Sequence, residues 1–196
     1  MAKSAFIALD IQNGAVGFLS NTMDADAYLE AFSETIKAAR RASIPVIYVT
    51  GSFRDGYPDI SPRNITATRI DKSSGHWTES SPSVGVPAGI QLEVSDIRIV
   101  KRRVSAFHAT DLDLVLRSQG VESIVVAGLA TSGAVLSTVG HGADLDYSIT
   151  ILEDLCADRD KDVHTVLMEK VFPRQGRVMS SSDWVAETRA EEQPHS

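Results

Sequence analysis

Asp10, Lys101 and the run Gly128-Leu129-Ala130-Thr131-Ser132 each follow directly on a short apolar segment. Together they offer a carboxyl, an ammonium and a polar bend in the main chain. A carboxyl shielded from water holds its proton to higher pH and can donate it as a general acid. An ammonium beside it supplies charge and orientation, and backbone N–H groups at a bend bind negative charge as it develops. Singly, each has an ordinary structural explanation: Asp10 caps a turn, Lys101 is a solvated strand end beside Arg102 and Arg103, and Thr131 or Ser132 caps a helix. Their position makes them the residues to examine, because ligands of an open parallel sheet bind outside the carboxyl ends of its strands.

The elements that must position these residues are legible as an alternation. Residues 6–9, 46–49, 97–100, 124–127 and 149–152 are short runs rich in Val and Ile, with a weaker one at 177–179. They alternate with segments of helical period, the signature of βαβ units around a parallel sheet of five or six strands buried on both faces. Over 24–42, Tyr28, Leu29, Phe32, Ile36 and Ala39 fall on one stripe and predict a helix, and further helices are expected at 112–118, 131–145 and 160–172. Residues 51–91 break the rhythm with scattered Gly and Pro, an irregular insertion long enough to be a lid or binding loop. The end of the chain, 187–196, reads as a solvated tail, leaving one domain over 1–186.

At 196 residues with 43% hydrophobic and 23% charged side chains, the chain has the make-up of a single globular domain. A net charge of −7, with no basic run longer than Lys101-Arg102-Arg103, speaks against nucleic acid and anionic membranes as partners. The longest apolar stretches, 6–9 and 123–130, are far short of the roughly 20 residues that span a bilayer. No secretion signal is readable at the N-terminus, and the lone Cys156 can form no intramolecular disulfide, so the cytoplasm is the expected compartment.

Read as a combination, the residues resemble the isochorismatase-like family of cysteine hydrolases over nearly the whole chain. Ala8-Leu9-Asp10-Ile11-Gln12-Asn13 looks like the family's opening strand and catalytic aspartate, and Val100-Lys101-Arg102-Arg103-Val104-Ser105-Ala106-Phe107 like its lysine segment. Thr110-Asp111-Leu112 and Leu116 fit the helix that follows. Gly128-Leu129-Ala130-Thr131-Ser132-Gly133-Ala134 resembles the nucleophile turn, and Asp154 to Asp160 followed by Val171-Phe172-Pro173-Arg174 resembles the terminal helix region. The resemblance implies a three-layer αβα hydrolase, an Asp, Lys, Cys triad, a cis peptide near Leu129-Ala130, and assembly as a dimer or tetramer. It also places Ala134 where the family carries its nucleophilic cysteine. A methyl group cannot attack a carbonyl.

Three explanations of Ala134 are open. The chain is a member that needs no sulfur, like isochorismatases proper, which cleave a vinyl ether by protonation and water attack. Or it is an amidohydrolase whose cysteine was removed by engineering, or a silent ligand-binding or assembly protein. Thr131-Ser132-Gly133 differs from the bulkier residues usual before the family's cysteine, which favours the first and third, and the expectation taken forward is the first. Asp10 and Lys101 then carry the chemistry, and the backbone N–H groups of Ala130 and Ala134 form an anion pocket. A small, carboxylate-bearing substrate is expected. Arg54, Arg63 and Asn64 are candidates to recognise its carboxylate, since a guanidinium presents its donors as a fork. Gln12, Phe18, Phe53, Trp77, Phe107 and Thr131 are candidates to line the site. No metal is expected, since His76, His108, His141, His164 and His195 stand singly, and no glycine-rich phosphate loop follows the first strand, so no cofactor is implied either.

Overall fold

A computed structural model describes residues 3–19 and 23–192. Six strands form one sheet: β1 (Lys3–Leu9), β2 (Val46–Gly51), β3 (Ile97–Lys101), β4 (Val121–Leu129), β5 (Ser148–Ala157) and β6 (Arg177–Met179). All pairings are parallel, in the order β3-β2-β1-β4-β5-β6. The helices are α1 (Asn13–Gly17), α2 (Ala25–Arg41), α3 (Ile65–Thr68), α4 (Leu112–Ser118), α5 (Leu136–Asp144), α6 (Lys161–Val166) and α7 (Ser181–Glu192).

Both faces of the sheet are covered, which is why the strands read as continuous apolar runs. Along β1, Ala5, Ile7 and Leu9 enter one core with Leu112 and Leu116 of α4 and Val139 of α5. The alternate residues Phe6 and Ala8 enter the other, with the Tyr28, Phe32, Ile36 and Ala39 stripe of α2 and Trp184 of α7. The start of α2 is fixed by Asp24, whose carboxylate accepts from the N–H groups of Asp26 and Ala27 at 3.1 Å each. The three-layer αβα architecture expected from the sequence is the one observed.

After β3 the chain crosses to the other side of β1, so the strand order reverses between β1 and β4. The region just outside the carboxyl ends of those strands is the place where such sheets bind ligands. Contact between them is unusually close at Gly128, which pairs with Leu9. Its φ is +133°, and a Cβ built there would lie 2.0 Å from the Leu9 carbonyl oxygen, so no side chain fits.

The insertion at 51–91 is folded back onto this end of the sheet. Phe53 donates its N–H to the Trp77 carbonyl at 2.8 Å and accepts from Glu79 N–H at 2.9 Å. Tyr57, Ile60 and Ala67 make a small core of their own, with Phe53 and Ile70 packed against it. Arg102 ties the segment to β3 by donating to the Ser52 carbonyl at 2.8 Å and pairing with Glu79.

One boundary differs from the sequence reading. Residues 187–192 are the last turns of α7 rather than part of a solvated tail. Trp184 is buried against Phe6, Thr188 lies one turn on and is buried too, and Arg177 pairs with both carboxylate oxygens of Glu187 at 2.7 and 2.5 Å. Residues 193–196 lie outside the described residues.

Candidate active site

Asp10 is the first residue beyond β1 and takes a left-handed φ of +51°, unusual for a non-glycine residue. Its N–H still donates to the Val49 carbonyl of β2 at 2.9 Å, which fixes the backbone while the side chain turns toward Lys101. Lys101, the last residue of β3, reaches across the end of β2. Its Nζ lies 2.8 Å from Asp10 Oδ2 and also donates to the Arg103 carbonyl at 3.3 Å. The Lys101 side chain is 6% exposed. Asp10 Oδ1 is buried and has no hydrogen-bond partner among the described residues. Burial pushes the Asp10 carboxyl above the ordinary carboxylate range, against the opposing pull of the Lys101 ammonium.

Gln12 frames the pair from the side. Its Oε1 accepts from Gly51 N–H at 2.8 Å, and its Nε2 donates to the Gly51 and Val84 carbonyls at 3.0 Å each. The residue is 1% exposed and clamps the end of β2 to the insertion. Gln12→Leu leaves three partly buried backbone groups without their partner and is expected to cost about 2 to 4 kcal/mol of stability. Urea unfolding of the two proteins measures this, and a loss below about 1 kcal/mol would mean that the clamp is replaceable by water.

After β4 the chain makes a cis peptide at Leu129-Ala130 and enters a wide π-type turn over 131–135 before α5. The Ala130 carbonyl accepts from Gly133 N–H at 3.0 Å and Val135 N–H at 3.2 Å. Ser132 N–H donates to Asp158 Oδ2 at 2.7 Å, and Thr131 Oγ1 lies 2.8 Å from His164 Nδ1, so the turn is held from the β5 and α6 side. Burial lowers the His164 imidazole below its ordinary value.

These groups border one cavity of about 360 Å³, walled by Phe18, Phe53, Ile70, Trp77 and Val104 and reached by Asp10, Lys101, Ala130 and Ala134. Of the residues singled out in the sequence, Gln12, Phe18, Trp77 and Asn64 also border it. Others do not. Arg54 sits outside, its guanidinium on Asp59 and its side chain 62% exposed. Phe107 is in the core beneath the sheet, stacked on Tyr147 at 5.7 Å. Thr131 is fully buried and faces His164. Arg63 is exposed and away from the cavity. The sequence reading missed Arg103, Asp158 and Arg159, all of which border it. The turn that follows β5 was the signal available for the last two, since it ends a strand as Asp10 and Lys101 do. Cys156 is buried, pushed up to about 12 by burial, and borders a separate cavity of about 260 Å³ with Met23, Lys161 and His164.

In this parallel αβα sheet an aspartate and a lysine from separate strand ends thus meet at one cavity. Residues 4–183 match the isochorismatase domain model, and the chain belongs to the isochorismatase family, within the cysteine hydrolase superfamily. It is 28% identical over 178 residues to the uncharacterized isochorismatase family protein YecD of Escherichia coli O157:H7, covering 90% of this chain and 92% of that one. It is also 28% identical over 175 residues to the ureidoacrylate amidohydrolase RutB of Azorhizobium caulinodans, covering 78% of this chain and 75% of the other. Among solved structures, an isochorismatase family protein of Burkholderia thailandensis superposes with a TM-score of 0.82 at 24% identity, over 95% of this chain and 96% of that one. Among the described residues, no helix is long and apolar enough to cross a membrane.

Proposed function

We propose that this chain is a hydrolase of a small, carboxylate-bearing molecule that works without a cysteine nucleophile, by vinyl-ether hydrolysis through acid and base catalysis. The observation that carries the reading is Asp10 bordering a walled cavity, its Oδ2 held 2.8 Å from Lys101 and its carboxyl raised above the ordinary range by burial. Such a carboxyl is oriented by its lysine and keeps its proton to higher pH than an exposed aspartate does, as a general acid requires.

Protonated Asp10 gives its proton to the outer carbon of the vinyl ether, and the inner carbon becomes an oxocarbenium ion. Water adds to that carbon, the Asp10 carboxylate takes the proton the water releases, and the hemiketal collapses to a ketone and an alcohol. Lys101 keeps Asp10 oriented and balances its charge once the proton has left. The Ala130–Ala134 turn borders the same cavity, and its N–H groups would serve the negative end of the substrate. No step needs sulfur. In this reading the Ala134 side chain is simply wall.

The rival reading, favoured by the likeness to the ureidoacrylate amidohydrolase, is amide hydrolysis with the nucleophile missing at 134. Assaying isochorismate and simple primary amides with this chain and with Ala134→Cys separates the two. Turnover of the vinyl ether by the chain as it stands is expected. Amide turnover acquired only by the cysteine variant, with no vinyl-ether cleavage by either, would replace the proposal with its rival. Inactivity of both on every substrate would point to a silent binding protein. The family likeness also leads us to propose a cytoplasmic dimer or tetramer.

A further inference from the structure

Four cationic side chains border the cavity, and their partners distinguish them. Lys101 is committed to Asp10. Arg102 is committed to Glu79 and to both oxygens of Ser52. Arg103 spends Nη1 on the Arg102 carbonyl at 2.7 Å and has its own carbonyl held by Lys101. Arg159 has no carboxylate partner among the described residues. Its guanidinium carbon instead lies 4.1 Å from the centre of the Phe18 ring.

Its neighbours leave that charge available. Asp158 also borders the cavity, but it accepts from the N–H groups of Ser132 at 2.7 Å and Asp160 at 3.3 Å. Phe18 is 46% exposed, a large apolar ring left open at the mouth of a cavity. The ring also neighbours Trp77, ring centres 6.3 Å apart and tilted by 31°. A guanidinium held against an aromatic face loses little further rotamer freedom on binding, and its N–H donors keep the fork geometry that fits a carboxylate.

Resting on the hydrolase reading above, we propose that Arg159 is the specificity-determining residue of this site, receiving the substrate's carboxylate over Phe18, and that the rest of the substrate is a flat apolar body lying along Phe18 and Trp77. Arg54, one of the residues the sequence offered for this task, is tied to Asp59 outside the cavity.

Calorimetric titration with benzoate and with benzamide, its neutral isostere, tests the assignment without depending on turnover. The chain is expected to prefer benzoate by at least tenfold. Arg159→Gln should weaken benzoate 10- to 100-fold and move benzamide less than twofold, and Arg159→Lys should restore part of the loss. Arg159 is exposed, so these variants are expected to fold, and an unchanged melting temperature confirms it. Equal binding of the two compounds by the chain, no binding of either, or loss of the preference in Arg103→Gln instead of Arg159→Gln would overturn the assignment. Asp10→Asn keeps the two failures apart. Benzoate preference in a chain that hydrolyses nothing leaves Arg159 in place and removes the catalytic reading, whereas turnover without the preference removes Arg159 alone.

Discussion

Asp10→Asn is expected to lower turnover by about 10² to 10⁴, the range typical when a positioned general acid is removed. Asparagine keeps the size of the side chain and its reach toward Lys101, but it has no acidic proton to give. The same group sets the pH dependence. Because burial raises the Asp10 carboxyl above its ordinary value, the protonated acid persists to higher pH than an exposed aspartate allows, and kcat/KM should fall as pH rises through that raised pKa. The direction follows from the role: a general acid works in its protonated form, so activity lies on the acid side of its titration. Lys101→Met removes the partner 2.8 Å away and leaves Asp10 buried with no cation. The carboxyl should move further up, and the falling limb of the profile should shift to higher pH. A profile that rises with pH, or an asparagine variant within threefold of the parent, would take Asp10 out of the proton-donor role.

Among the described glycines, Gly128→Ala should be the most damaging substitution. The new Cβ would stand 2.0 Å from the Leu9 carbonyl oxygen and 2.8 Å from its nitrogen, both backbone atoms that cannot swing aside, at a φ of +133°. Relief requires β1 and β4 to part at the point where Asp10 leaves the sheet. A loss above roughly 4 kcal/mol is expected, in the range reserved for strain or clashes in the core. Gly133→Ala is the matched control, because nothing lies within 4 Å of its missing Cβ, and it should cost no more than about 1 kcal/mol. Urea midpoints of the two variants measure the difference, and similar midpoints would contradict the close approach of the two strand ends.

The sheet was legible because both its faces are buried: a strand with no solvent side is written as a run of Val and Ile, and all six runs are strands in the structure. The stripe on α2 was legible for the same reason. The helical character of 187–192 was not, since α7 is anchored chiefly by Trp184 and Thr188, and one aromatic in a polar segment makes no periodic pattern. Strand ends alone left Asp10 and Lys101 with ordinary structural explanations, and it was the family resemblance that joined them as the pair seen 2.8 Å apart. Which arginine faces the cavity did not follow. Arg54 and Arg159 are equally plausible as letters, and only the fold shows that Asp59 sits five residues beyond Arg54 to take its charge while Arg159 is left against Phe18. Thr131 was misread because a residue in a strand-to-helix bend can face either side, and here the wide turn directs it to His164.

Running the hydrolysis of isochorismate in deuterium oxide and reading the product by mass and NMR tests the central claim most directly. Proton transfer to carbon, with Asp10 as donor and no covalent intermediate, should place one deuteron on the methyl carbon of the 2-oxo acid released, at a rate that collapses in Asp10→Asn. Product carrying no deuterium at that carbon, or a deuterated product formed equally fast by the asparagine variant, would contradict it.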